Sequence, residues 1–227
     1  MSAREKRALV RKILRRLESH FGRLEPPHRS DPLEELILTV LSQHTSDLNA
    51  ERAFGELRRV FADWAAVESA EEKRLADAIR SGGLANTKAP RIQAILREVR
   101  TREGAFDLST LRTMSDEEAR SYLISLPGVG PKTAAVVLSF SLDRDTMPVD
   151  THVHRVTGRL GLIPAKTSAE KADRILHDLI PDGLRTPLHV GFIRLGREVC
   201  KPRDPRCTGC PLLDVCPWGE EVVRKSG

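Results

Sequence analysis

The chain has 227 residues, 40% hydrophobic and 30% charged, with a net charge of +5 and a pI of about 9.2. A chain this long buries its own core without covalent staples, and no apolar run approaches the roughly 18 residues needed to span a membrane. Nothing resembles a secretory leader. A soluble protein of the reducing cytoplasm is therefore expected, with no membrane partner.

Helical periodicity governs almost the whole sequence. Residues 3–21 read as a helix with Leu9, Ile13, Leu14 and Leu17 on one face. Residues 1–16 carry seven bases (Arg4, Lys6, Arg7, Arg11, Lys12, Arg15, Arg16) against Glu5, so that segment is +6 and the remainder of the chain −1. Such a run is a solvated face or a phosphate-attracting edge. Asp31-Pro32 opens the next helix as an N-cap followed by Pro at the first position, continuing through Leu36, Ile37, Val40 and Leu41. Further helices fit 47–61, 71–81, 88–102, 115–125, 131–141, 151–161, 168–180 and 186–199. Gly and Pro punctuate them at Ser81-Gly82-Gly83, Pro127-Gly128, Ile163-Pro164 and Pro181-Asp182-Gly183. No segment alternates with period two, so the class is all-α.

Residues 126–135 read Leu-Pro-Gly-Val-Gly-Pro-Lys-Thr-Ala-Ala between two apolar helices. Gly128 and Gly130 permit positive φ and close backbone approach, and Pro131 suits a helix start. The N–H groups of such a hairpin can hold a phosphate. The pattern is an ordinary αα turn or a helix–hairpin–helix DNA clamp, and the flanking apolar helices with Lys132 just inside the second favour the clamp. Lys132 is either a solubilising charge or a nucleophile. The helix dipole disfavours a cation there by only about 0.3–1 kcal/mol, so nucleophilicity also requires water to be excluded by bound substrate. Asp150 is placed to cap the next helix. His152 and His154 read as local hydrogen-bonding groups, since no third metal ligand is evident.

The four cysteines, Cys200, Cys207, Cys210 and Cys216, follow the pattern C-x6-C-x2-C-x5-C. This clustering is not a disulfide framework of a small secreted domain. Four thiolates on one loop suit a 4Fe–4S cluster or a zinc ion; only one C-x2-C knuckle is present, whereas zinc sites usually use two. From Cys200 onward Pro202, Pro205, Pro211 and Pro217 replace periodicity, and a loop of that kind would depend on its metal for order.

Leu126–Ala135, Val149–His152 and the cysteine loop, in that order, resemble the endonuclease III family of base-excision DNA glycosylases, across about Asp31 to Cys216. The resemblance implies the helix–hairpin–helix Gly/Pro-Asp fold and a 4Fe–4S cluster. By it Lys132 matches the Schiff-base lysine, Asp150 the catalytic aspartate and Leu84 the residue that wedges into the duplex. The family usually carries a Gln that fills the gap left by the flipped base. That position is His44 here, with Gln43 just before it.

The reading is thus a two-domain all-α protein, 28–147 carrying the hairpin and 1–27 with 148–227 carrying the cluster. The resemblance implies a monomeric, nucleoid-associated glycosylase and abasic-site lyase. It would remove oxidised pyrimidines from double-stranded DNA and nick the strand by β-elimination. DNA contacts are expected from Gln43, His44, Leu84, Gly128, Gly130, His152 and the loop bases Lys201, Arg203 and Arg206. Two other readings remain: a monofunctional adenine or mismatch glycosylase, which would not need Lys132, and a non-catalytic iron–sulfur DNA-binding module, which would need neither Lys132 nor Asp150.

Overall fold

A computed structural model describes residues 3–26 and 31–226, and among the described residues it contains helices and loops with no strand. Helix α1 spans Ala3–Phe21, α2 Pro32–Ser42, α3 Asp47–Val60, α4 Trp64–Ser69, α5 Glu72–Ala78 and α6 Ala85–Glu103. Helices α7 (Asp116–Ile124), α8 (Pro131–Leu142), α9 (Thr151–Arg159), α10 (Ala169–Leu179), α11 (Arg185–Glu198) and α12 (Pro217–Ser226) follow.

Local chemistry sets many of the starts. Asp31 accepts from the Leu33 and Glu34 amides ahead of Pro32. Ser46, Asp63 and Ser168 cap α3, α4 and α10, and Ser115 with Glu118 forms a reciprocal capping box on α7. Three expectations need correction. The helix expected over 71–81 stops at Ala78 and tightens into a 3-10 turn at Arg80–Gly82. A Cβ on Gly82 would lie 3.2 Å from Ala53 Cβ, so the chain turns at a close approach that a small residue eases. The helix expected from 88 starts at Ala85, launched by Leu84 rather than by a polar cap. Helices α4 and α12 were not anticipated.

The chain divides into two compact units, Met1–Pro27 with Asp145–Gly227, and His28–Arg144. The expected boundary at 27/28 lies in 27–30, outside the described residues. In the central unit, α2 packs along α8 and α3, burying Leu36, Ile37, Val40 and Leu41 against Ala50, Leu57, Val137 and Leu138, with Ile92 and Leu96 of α6 in the same core. Replacing one of these buried leucines or isoleucines by Ala should cost about 2–5 kcal/mol. In the terminal unit, α1 closes on α11 and α11 on α9, around Ile13, Leu17, Val153, Val156, Leu188 and Phe192. Gly191 lets α1 approach: a Cβ there would sit 2.9 Å from Leu17 Cδ1.

Candidate active site and metal centre

The hairpin is built from its apolar anchors outward. Leu126 and Val129 are buried in the core of the central unit, and the Val129 amide donates to the Leu126 carbonyl, closing the turn. Gly128 lies at φ +70°, and a Cβ there would stand 2.5 Å from Cδ and Nε of Arg91. Conformation calls for glycine here, and the Arg91 side chain would have to shift to admit a Cβ. Gly130 differs from the expectation. Its φ is −99° with ψ 175°, an extended N-cap that other residues adopt, and nothing lies within 4 Å of a Cβ built on it. What its missing side chain does is leave the start of α8 open. No side chain caps that helix, and Pro131 has no amide, so the Lys132 and Thr133 N–H groups have no partner within the helix. Lys132 is exposed, and among the described residues its ammonium has no hydrogen-bond or ion-pair partner.

Two more loops of the same unit carry expected contact residues. Gln43 ends α2, and its Oε1 accepts from Arg91 Nη1 at 3.0 Å. His44 follows, exposed and at φ +57°. Leu84 is 57% exposed, an unusual position for a large apolar side chain, and sits at φ +50°. Lys88 is almost fully buried and bonds to the backbone beneath both loops. Lys88 and Arg91 were not anticipated as functional. The available signal was spacing, since Lys88 shares a helical stripe with Ile92, Ile95 and Val99.

In the terminal unit Asp150 caps α9, as expected: its Oδ1 accepts from the Val153 amide at 2.7 Å. Its Oδ2 carries no partner among the described residues. His152 is wedged against Gly196, where a Cβ would lie 2.9 Å from the imidazole Nδ1. Arg155 Nη2 donates to that Nδ1 at 3.1 Å, and His154 Nε2 donates to the Thr167 carbonyl at 2.7 Å. Both histidines therefore serve local hydrogen bonds.

The four cysteine thiols line one cavity walled by Val199, Pro205, Leu213 and Trp218. Burial, then mutual repulsion, pushes the Cys207 and Cys216 thiols up, and burial first pushes Cys210 up to about 11. Among the described residues no three His, Cys, Asp or Glu side chains are already arranged to hold a metal. Four thiols lining one cavity are a donor set suited to a 4Fe–4S cluster or a zinc ion. Two groups already point at sulfur: Arg159 Nη1 donates to Cys200 Sγ at 3.2 Å, and the Gly219 amide to Cys216 Sγ at 3.3 Å.

The loop also has protein contacts of its own. Arg159 also donates to the Lys201 and Pro202 carbonyls and lies 3.7 Å over the Trp218 ring. Arg155 Nε holds the Cys200 carbonyl, Leu212 is fully buried, and Lys12 and Arg16 of α1 both pair with Asp214. Part of the basic N-terminal run is therefore engaged by the cysteine loop. Arg203 and Arg206 are exposed and Lys201 is half-buried.

The family model described as "HhH-GPD superfamily base excision DNA repair protein" matches residues 37–182, well over half the chain. Endonuclease III of Thermotoga maritima is 35% identical over 96% of this chain and 95% of its own length. The chain belongs to the endonuclease III family of base-excision DNA repair proteins. Endonuclease III of Escherichia coli is 32% identical over 85% of this chain and 87% of its own. A solved structure of a trapped endonuclease III–DNA covalent intermediate superposes with a TM-score of 0.84, at 28% identity, over 99% of this chain and 100% of that one. Family membership fixes the reaction class, that of a DNA glycosylase and abasic-site lyase. Among the described residues, no helix is long and apolar enough to cross a membrane.

Proposed function

We propose that this endonuclease III family enzyme removes oxidised, ring-saturated pyrimidines from duplex DNA through a covalent imine on Lys132. The observation that carries the reading is Lys132 itself: an exposed, unpartnered amine in the first turn of the hairpin's second helix, beside open backbone donors. Those donors bind phosphate and set the register of the strand. The target nucleotide leaves the stack, because an attacked base is unreachable inside it. In the water-excluded complex the neutral Lys132 amine attacks C1′, the glycosidic bond breaks, and its electron pair departs with the base, which takes up a proton. Asp150, through the carboxylate oxygen not used in capping, stabilises the cationic sugar of the transition state. Opening of the sugar ring gives the imine. Loss of a C2′ proton then expels the 3′ phosphate and nicks the strand. Scarce aromatics, 4% of residues, argue against a stacking sandwich as the recognition device and suit bases that stack poorly.

Leu84 enters the duplex, and Gln43 or His44 fills the space left by the extruded nucleotide. Gly128 and Gly130 bring the hairpin backbone to the strand, and His152, Lys201, Arg203 and Arg206 contact the DNA. The protein acts as a monomer at the cytoplasmic nucleoid, with 28–147 and 1–27 plus 148–227 as its working domains. Cys200, Cys207, Cys210 and Cys216 hold a 4Fe–4S cluster whose contribution is structural, shaping the loop that carries the three bases. Protein prepared without oxygen should be yellow-brown and contain about four irons per chain. One zinc with neither iron nor sulfide would contradict the cluster assignment. Borohydride trapping across duplexes bearing ring-saturated pyrimidines, adenine mismatches and abasic sites tests the function. Trapped adducts on the first and third are expected. Base release without adduct on any duplex would make the enzyme monofunctional.

A further inference from the structure

We propose that Lys88 and Arg91 are positioning residues that hold the Gln43–His44 loop and the Leu84 turn in the shape in which they enter DNA. The inference rests on the reading of those loops as the duplex-probing elements. Lys88 is 2% exposed, an unusual place for a lysine. Its ammonium donates to the Leu41 carbonyl at 2.6 Å and to the Gly82 carbonyl at 2.8 Å. Burial, then the neighbouring Arg91 charge, push it below the ordinary lysine range. An apolar side chain of the same length would fill this space without the desolvation cost, so packing does not explain the choice. What the ammonium alone can do is join two backbone segments that lie far apart in sequence.

Both segments lead directly into a probing loop. Leu41 is two residues before Gln43, and Gly82 two residues before Leu84. Both loops are strained: His44 is at φ +57° and Leu84 at φ +50°, left-handed backbone that a bulky residue such as leucine avoids. Such conformations persist where the surroundings impose them, and they gather where a shape must exist before the ligand arrives. Arg91, one turn beyond Lys88 on α6, continues the support. It fixes the Gln43 side chain at 3.0 Å and lies against Gly128 of the hairpin. Helix α6 thereby ties the Gln43–His44 loop to the Leu84 turn through Lys88, and to the hairpin through Arg91. Presenting Leu84 and His44 outward in advance removes the ordering cost that a flexible loop would incur on binding.

The test uses Lys88→Met and Arg91→Met in the full chain. 2-Aminopurine placed opposite a tetrahydrofuran abasic analogue brightens when the duplex is entered and the base unstacked. The wild type should give that rise and Lys88→Met should lose it. Cleavage of an abasic duplex should fall by about 10²-fold, the scale of a roughly 1 Å misplacement. Imine trapping on a single-stranded abasic oligonucleotide, which has no stack to enter, should be unchanged. If Lys88→Met is unfolded by circular dichroism, Arg91→Met, only partly buried, should show the same division between duplex and single strand. Wild-type fluorescence and duplex rates in the folded variants would overturn the inference, as would equal losses on both substrates. Failure of the wild type to trap on either substrate would instead contradict the imine chemistry of Lys132.

Discussion

Lys132→Gln is expected to abolish imine trapping and strand cleavage while leaving DNA binding nearly intact. Glutamine has about the length and hydrogen-bonding capacity of lysine but no amine, so no covalent bond to C1′ can form. Losing the nucleophile of a covalent mechanism costs on the order of 10⁴-fold or more. The loss should be specific. Lys132 is exposed and uncommitted, and the helix it begins is anchored by buried Ala134, Val137 and Leu138 further along. Melting temperature should stay within measurement error. Affinity for an uncleavable duplex should change by no more than one phosphate contact, lowering the slope of log affinity against log salt by about 0.9. Full nicking of an oxidised-pyrimidine duplex by the variant would sink the assignment.

Asp150→Asn should slow base removal by about 10²–10³-fold, the size of losing one electrostatic contact to the transition state. The structure lets this be separated from stability. Asp150 caps α9 through a single 2.7 Å bond to the Val153 amide, and an asparagine oxygen can accept the same bond. Asparagine and aspartate are nearly equal caps, so the remaining loss is the charge–dipole contribution of roughly 0.3–1 kcal/mol. Asp150→Ala should cost about 1 kcal/mol more by removing the cap, or about 2–4 °C in Tm for a chain of this size. Parallel kinetics and melting curves of the two variants decide the matter. A large Tm drop with unchanged turnover would make Asp150 a cap and nothing else.

The long amphipathic helices were readable because burial imprints a 3.6-residue period that no loop imitates. Asp31-Pro32 even marked the start of α2 to the residue. The shortest elements left no such trace. Helix α4 has six residues with Val67 buried, too few to show a period, and its signal was the Asp63 cap alone. Helix α12 starts at Pro217 directly after Cys216, where the Gly219 amide finds the Cys216 sulfur in place of a usual capping oxygen. The catalytic candidates and the cysteines stood out because their chemistry demands particular residues at particular spacings. Lys88, Arg91 and Arg159 did not. A lysine or arginine on a helix is ordinarily a solvated charge, and only the fold reveals that these three end on backbone carbonyls, on Gln43 and on cysteine sulfur. Gly130 misled in the opposite sense, since a glycine in a G-x-G pair suggests positive φ while this one is extended.

The central claim is that one particular lysine becomes covalently attached to the sugar of the damaged nucleotide. Borohydride reduction of the complex with a ring-saturated pyrimidine duplex, followed by proteolysis and mass mapping of the cross-linked peptide, tests it most directly. The adduct should lie on Lys132 alone. Attachment to another lysine or to the N-terminal amine, or base release with no adduct at all, would contradict it.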